Sequence, residues 1–459
     1  MSGAAAFGWG AIVRLGLVQT ALGAIVVLTT STLNRVMVVE LALPALLPGL
    51  LVGIHYAMQS LRPRMGHGSD VGGRRTPWIL GGMAVLAIGG VGASGATVLM
   101  ATHVGAGIAC AVLAFALIGV GVSACGTSLL VLLAKRVAEP RRAAAATIVW
   151  LMMILGFALT AGIAGRLLDP YSPQRLLAVT ATVAVIAMAT AVLALLGLEG
   201  APAAAGEQPR TAEPKPRFRE ALAQVWAEPQ ARHFTLFVFV SMLAYSAQDL
   251  ILEPFAGAVF GFTPGESTQL AGVQHGGAFA GMVLAALAGS RLAGRQLGSL
   301  RAWTIGGCLA SALALAGLTA AGLLGGHWPL KANVFLLGVA NGAFAIAAIA
   351  SMMRLAGEGR ASREGVRMGL WGAAQAIAFG IGGLGGAAAS DLARWMIADT
   401  GSAYAAVFGA EAVLFVAAAL MAARIGRGQG GEFRIDPTDA PRAAGARIGK
   451  LRVAPLERG

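Results

Sequence analysis

The chain has 459 residues, 57% hydrophobic and 12% charged, with a formal net charge of +13. A soluble domain carries roughly 25% charged residues, so this composition and a mean hydropathy of +0.74 exclude an ordinary soluble globule. The surplus of positive charge argues against nucleic-acid binding too, because its placement follows the membrane topology set out below.

Lipid offers the backbone no hydrogen-bond partner, so the expected spanning element is a helix of about 20 apolar residues. The apolar runs predict twelve spans, at 11–33, 42–61, 78–100, 106–133, 143–165, 176–197, 233–252, 268–290, 302–325, 332–353, 368–389 and 402–423. The expected fold is an all-α polytopic membrane protein of twelve transmembrane helices in two six-helix halves. Residues 1–198 form the first half, 199–232 a cytoplasmic linker, 233–424 the second half, and 425–459 a basic tail expected to be disordered. With the N-terminus inside, 29 Lys and Arg fall on the cytoplasmic side and five, Arg35, Arg166, Arg175, Lys331 and Arg394, on the other. That bias is the positive-inside pattern, and it places both termini in the cytoplasm. The 65 glycines suit close helix-to-helix approach.

Span 1 continues as a full crossing and shows no small-residue cleavage site, so no cleavable leader is expected. After it comes Thr32-Leu33-Asn34-Arg35-Val36-Met37-Val38-Val39-Glu40-Leu41, read as the outer connection to span 2. Arg35 and Glu40 near the bilayer boundary are costly unless paired. They pair with each other, pair with the other half, or recognise a ligand or partner.

Between spans 2 and 3 lies a short glycine- and arginine-rich stretch with the spacing Gly-x-x-x-Asp-x-x-Gly-Arg-Arg, from Gly66 through Asp70 and Gly73 to Arg74 and Arg75. Its glycines permit a tight turn. Asp70 is placed to pair with Arg74 or Arg75, or to sit at a helix N-terminus. The arginines otherwise serve simply to hold the loop inside.

Cys110 and Cys125, on one helix, are about 22 Å apart at 1.5 Å per residue and cannot bridge. With Cys308 they read as small core residues. In the linker, Phe218 to Trp226 is either a short amphipathic surface piece or ordinary solvated chain.

At the outer end of span 7 stands Gln248-Asp249-Leu250-Ile251-Leu252-Glu253-Pro254. Asp249 and Glu253 are four residues apart and share one face of a regular helix, while Pro254 discourages its continuation. The two acids relay protons, gate an opening, hold a cation, or are solvated near a helix end. Gly289 to Arg295, between spans 8 and 9, loosely repeats the Gly66–Arg75 stretch without its aspartate.

Gln19, His55, His275, Asn341, Gln375 and Glu411 are single polar residues inside spans. His55 and His275 are either interhelical hydrogen-bond partners or contacts to the metal of a pigment. Glu411 needs a partner or a proton. No Gly-x-Ser-x-Gly, Cys-x-x-Cys, His-Glu-x-x-His or Walker-type phosphate loop occurs. An enzyme is not expected, and neither a metal site nor an intrinsic cofactor is indicated.

The Gly66–Arg75 spacing resembles the loop between spans 2 and 3 of the major facilitator superfamily, in which it latches the halves on the cytoplasmic face. Leu15 to Gln19, Thr32 to Leu41, Arg62 to Trp78, Gln248 to Pro254 and Trp371 to Gln375 together resemble the PucC/LhaA, or bacteriochlorophyll delivery, family of that superfamily. The compact run Ser69 to Trp78 is most similar to the family's bacteriochlorophyll synthase accessory-chain branch. The resemblance implies a non-catalytic factor for bacteriochlorophyll handling, late biosynthesis or light-harvesting assembly in the bacterial inner or intracytoplasmic membrane. Its implied cargo is bacteriochlorophyll or a phytylated or geranylgeranylated precursor. Implied partners are membrane lipids, bacteriochlorophyll synthase, geranylgeranyl reductase, and light-harvesting or reaction-centre subunits. Asn34, Arg35, Glu40, Gln248, Asp249, Glu253 and Glu411 are the functional or gating candidates. The alternatives are a proton-coupled transporter of a small amphipathic solute, using Asp249, Glu253 and Glu411, and a scaffold that binds no pigment.

Overall fold

A computed structural model describes residues 7–62, 74–138, 141–199, 226–289, 299–357 and 364–424. Twelve helical segments among these described residues follow in order. The first six are α1 (Trp9–Glu40), α2 (Leu46–Met58), α3 (Thr76–Met100), α4 (Val104–Arg136), α5 (Arg142–Leu168) and α6 (Pro173–Leu195). The second six are α7 (Pro229–Phe260), α8 (Pro264–Gly289), α9 (Leu300–Leu324), α10 (Leu330–Gly357), α11 (Glu364–Met396) and α12 (Thr400–Arg424). Eleven are long and apolar enough to cross a bilayer. α2, with 13 residues, is the short one, and a 3-10 turn over Gln59–Leu61 lengthens it.

Helix starts follow local chemistry. Ser172 accepts from the Arg175 amide and Pro173 opens α6, where its missing N–H has no intrahelical partner to lose. Thr263 and Glu266 form a reciprocal capping box at α8: the Thr263 amide donates to Glu266 Oε2 at 2.9 Å, and the Glu266 amide to Thr263 Oγ1 at 3.1 Å.

Each half encloses its own apolar core. Ile12, Leu15, Leu86, Phe115 and Leu129 anchor the first, and Phe237, Leu315, Phe344, Trp371 and Phe408 the second. Outward faces are equally apolar, with Ile88, Val185, Leu313 and Trp395 exposed. A surface this hydrophobic fits hydrocarbon as its solvent. The halves meet along two seams, α5 against α8 and α2 against α11. On the first, Gly162 and Gly272 bring backbones into contact; a β-carbon at Gly272 would lie 2.8 Å from the Gly162 nitrogen.

Three expectations are corrected. Span 1 does not stop at residue 33. α1 stays helical to Glu40 through two π-helical stretches, Leu28–Thr32 and Val36–Glu40. Asn34 and Arg35 therefore sit inside a helix, because their polar groups find partners across the halves. Nor does Pro254 end span 7. It falls in the first turn of the segment Leu252–Phe260, a position that tolerates proline; Gly261, at φ 68°, closes that helix. Finally, Cys110 is exposed, so only Cys125 and Cys308 are core residues.

Gly66, Asp70 and Gly73 lie outside the described residues, as do 200–225, 290–298 and 425–459. The expected loop pairing, most of the linker, most of the second-half echo and the tail fall there.

Candidate functional site

Polar bonds between the halves gather where α1 and α7 end. Ser31 Oγ donates to Glu253 Oε1. The hydroxyls of Thr32 and Thr268 are 2.9 Å apart, and Asn34 Nδ2 donates to the Leu250 carbonyl at 2.6 Å. Arg35, only 2% exposed, spreads its guanidinium over three acceptors. Nε meets Ser267 Oγ at 3.1 Å, Nη1 meets Glu40 at 2.9 Å and Nη2 meets the Phe262 carbonyl at 2.7 Å. The two pairing readings of Arg35 are thus realised at once: it pairs with Glu40 and it ties α1 to the other half. At the same end Asp391 of α11 accepts the Ala45 and Leu46 amides at 2.9 and 2.7 Å, capping α2 from across the seam.

Asp249 and Glu253 do not share a face. The 3-10 turn Gln248–Leu250 and the non-helical Ile251 interrupt the regular helix on which that expectation rested. Glu253 turns to Ser31 in the closure. Asp249 instead takes a bond from the Gln274 side chain and stands within electrostatic reach of Tyr56, Tyr245 and Glu411.

Around Asp249 an aromatic group crosses the boundary between halves. The Phe379 ring lies 5.9 Å from Tyr56 of α2 and 5.7 Å from Tyr245 of α7, centre to centre. Tyr56, Tyr245, Phe379 and Asp249 are all half-buried. The three rings stand where the halves face each other.

Gln248 is fully buried and neither end of its amide has a partner among the described residues; the same holds for both carboxylate oxygens of Glu411. The Phe255 ring of α7 and the Phe408 ring of α12 pack 5.0 Å apart, centre to centre.

His55 is buried with its Nε2 3.0 Å from Gln59 Nε2, its backbone carbonyl set against Gly119 of α4. His275 stacks on Phe157 of α5 at 5.0 Å. His55 is set against α4 within the first half, whereas His275 lies on the α5–α8 seam.

Of the loop motif, Arg74 and Arg75 are described. The Arg75 and Thr76 amides donate to the two carboxylate oxygens of Glu199 at 2.6 and 2.7 Å, which caps α3. Arg136 Nη1 donates to the Glu199 carbonyl at 3.0 Å. Burial alone would raise the Glu199 carboxyl, and the amides of Arg75 and Thr76 outweigh it, holding the acid below the usual glutamate range. Sequence reasoning missed Glu199, Asp391 and the three aromatics. The acids cap helices distant in sequence, and an aromatic in an apolar run carries no signal by itself.

The pattern of the PUCC protein family matches residues 32–430. The chain is 56% identical to the bacteriochlorophyll synthase 44.5 kDa chain of Rhodobacter capsulatus, over 90% of this chain and 95% of that one. It is 30% identical to Protein PucC of Rhodobacter capsulatus over 81% of each. Among solved structures, a peptide transporter in complex with sulfate superposes with a TM-score of 0.67 at 15% identity, covering 92% of this chain and 97% of that one. A bacterial homologue of the human lysosomal transporter Spinster gives 0.65 at 17%, covering 90% and 95%. These likenesses establish the fold as that of major facilitator-type transporters. Matched over most of its length, the chain belongs to the PUCC protein family of photosynthesis-related membrane proteins.

Proposed function

We propose that this protein is a non-catalytic membrane factor that holds bacteriochlorophyll, or its phytylated or geranylgeranylated precursor, and hands it to late-pathway enzymes or assembling antenna. The observation that carries this reading is the 56% identity to the bacteriochlorophyll synthase 44.5 kDa chain over nearly its whole length. The half-buried aromatics at the boundary between halves supply a surface suited to a planar ring. The charge bias supports an orientation with the Arg75 end in the cytoplasm and the Arg35 end on the opposite face of the inner membrane. Partners on this reading are bacteriochlorophyll synthase, geranylgeranyl reductase, or light-harvesting and reaction-centre subunits.

Deleting the gene lowers bacteriochlorophyll or mature antenna. Protein purified in mild detergent from pigmented cells carries pigment or a late-pathway enzyme. Normal pigment in a clean deletion, with colourless and solitary protein, would overturn the reading; a deletion that lowers pigment, with protein that is colourless even when purified from pigmented wild-type cells, supports a scaffold instead.

A second reading, a proton-coupled transporter of a small amphipathic solute, is favoured by Glu411, an intramembrane acid with no hydrogen-bond partner among the described residues. It requires pH-gradient-driven flux in proteoliposomes that Asp249→Asn abolishes. Absence of gradient-dependent flux across a broad solute panel rejects it.

A further inference from the structure

Burying a charge costs far more than a neutral hydrogen bond returns, unless a counter-ion is buried with it. Arg35 is 2% exposed where α1 meets α7 and α8, so the position of its counter-ion decides how that end behaves. The counter-ion is Glu40, five residues on along the same helix and 2.9 Å from Nη1. In a regular α-helix residues five apart point about 140° away from each other. The π-helical stretch Val36–Glu40 widens the turn, the Leu41 amide donating to the Val36 carbonyl, and so brings Glu40 round to Arg35.

The other half brings only uncharged groups to Arg35, Ser267 Oγ at 3.1 Å and the Phe262 carbonyl at 2.7 Å. The remaining bonds described between the halves at this end follow the same rule. Glu253 meets the Ser31 hydroxyl, Thr32 the Thr268 hydroxyl, Asn34 the Leu250 carbonyl, and Asp391 the Ala45 and Leu46 amides. None of these bonds sets a cation of one half on an acid of the other. Parting the halves here exchanges each partner for water without separating an ion pair, and Arg35 and Glu40 travel together on α1. The far side of the contact is Gly257, one turn beyond Glu253. A β-carbon there would lie 2.6–2.9 Å from Nε, Cζ and Nη2 of Arg35, so glycine is what lets the guanidinium rest against α7.

We propose that the Arg35 end is a reversible gate between the halves, with the counter-charge Glu40 carried on Arg35's own helix and Gly257 as the seat that receives the guanidinium on closing. Glu40 is a positioning residue that acts through Arg35. The gate belongs to the two halves and stands whichever cargo the protein handles.

The test reads opening as the rate at which a water-soluble maleimide labels a buried thiol. Val38 is 4% exposed, in a small apolar cluster with Ala45 and with Ala387 of the other half. Purified full-length protein in detergent, with Cys110, Cys125 and Cys308 replaced by alanine, carries Val38→Cys as the reference. The reference labels slowly but completely while it remains folded. Glu40→Gln leaves Arg35 charged and buried without its counter-ion, which destabilises the closed state, and labelling becomes about ten-fold faster. Gly257→Ala also labels faster, because Arg35 loses its seat. Ser267→Asp puts a carboxylate on the other half. Opening then separates an ion pair, and labelling falls below the reference rate, both alone and combined with Glu40→Gln. Circular dichroism and a monodisperse elution profile show which variants are folded, and if Glu40→Gln is not, Ser267→Asp alone decides. A reference thiol that reacts only when the protein is unfolded by heat makes this end a fixed brace and overturns the gate. So does a labelling rate that Ser267→Asp leaves unchanged in folded protein.

Discussion

Glu199 shows how one residue sets local structure far away in sequence. Its carboxylate takes the first two amides of α3, groups that a helix start leaves without intrahelical partners, and a negative charge there is favoured by the helix dipole. The folded pKa lies below the ordinary glutamate value. The stabilisation is therefore complete above the unfolded-state pKa, near 4.3, and is lost as pH falls through the folded value. Glu199→Gln offers one carbonyl oxygen where two carboxylate oxygens were used. It is expected to cost about 0.5–2 kcal/mol at neutral pH, the range for losing a helix cap. Thermal unfolding in detergent across pH 3–8 measures this: the gap between wild type and variant is largest above about pH 5 and narrows below about pH 4. A gap that stays constant over the whole range would show that the carboxylate charge plays no part.

At the scale of elements, the spans were legible because each is a long apolar run and lipid forces such a run into a helix. The ends of α1 and α7 were not. Arg35 and Glu40, like Asp249 and Glu253, lower local hydropathy and mimic a loop, yet both stretches are helical. Their cost is offset across the bundle, Arg35 by Ser267 and the Phe262 carbonyl, Glu253 by Ser31. A hydropathy reading scores each run against lipid and has no access to a partner more than 200 residues away. The π-helical stretches belong to the same blind spot. An expanded turn leaves no mark on composition, although it decides which side of α1 presents Ser31, Asn34 and Arg35. Close approach was legible only as abundance. The glycines announced tight packing, but not that Gly281 and Gly342 would bring the backbones of α8 and α10 together, against the carbonyls of Val339 and Ala278. For the candidate site, Asn34, Arg35, Gln248, Asp249 and Glu253 could be singled out because polar groups inside spans demand a reason. Tyr56, Tyr245 and Phe379 could not.

For the whole molecule, the polar bonds between halves described here concentrate at the Arg35 end, where α1 meets α7 and α8 and where Asp391 caps α2. Hydrogen bonds to charged groups are worth more than neutral ones, about 1.5–3 kcal/mol each, so this end is a clasp and not a sliding surface. If the pigment of the proposed function is held in this arrangement, fixing the clasp shut leaves its occupancy unchanged. Thr32 and Thr268, with hydroxyls 2.9 Å apart, are close enough for a cysteine pair to bridge with little backbone movement. In a background with Cys110, Cys125 and Cys308 replaced by alanine, the pair Thr32→Cys and Thr268→Cys is oxidised and compared with its reduced form. Oxidation is expected to raise Tm, because the bridge closes a loop of more than 200 residues in the unfolded chain, and to leave bound pigment per protein unchanged. Pigment lost on oxidation and regained on reduction would mean that the ring is held in a conformation where the Arg35 end has parted. The closed clasp would then be the state that follows release.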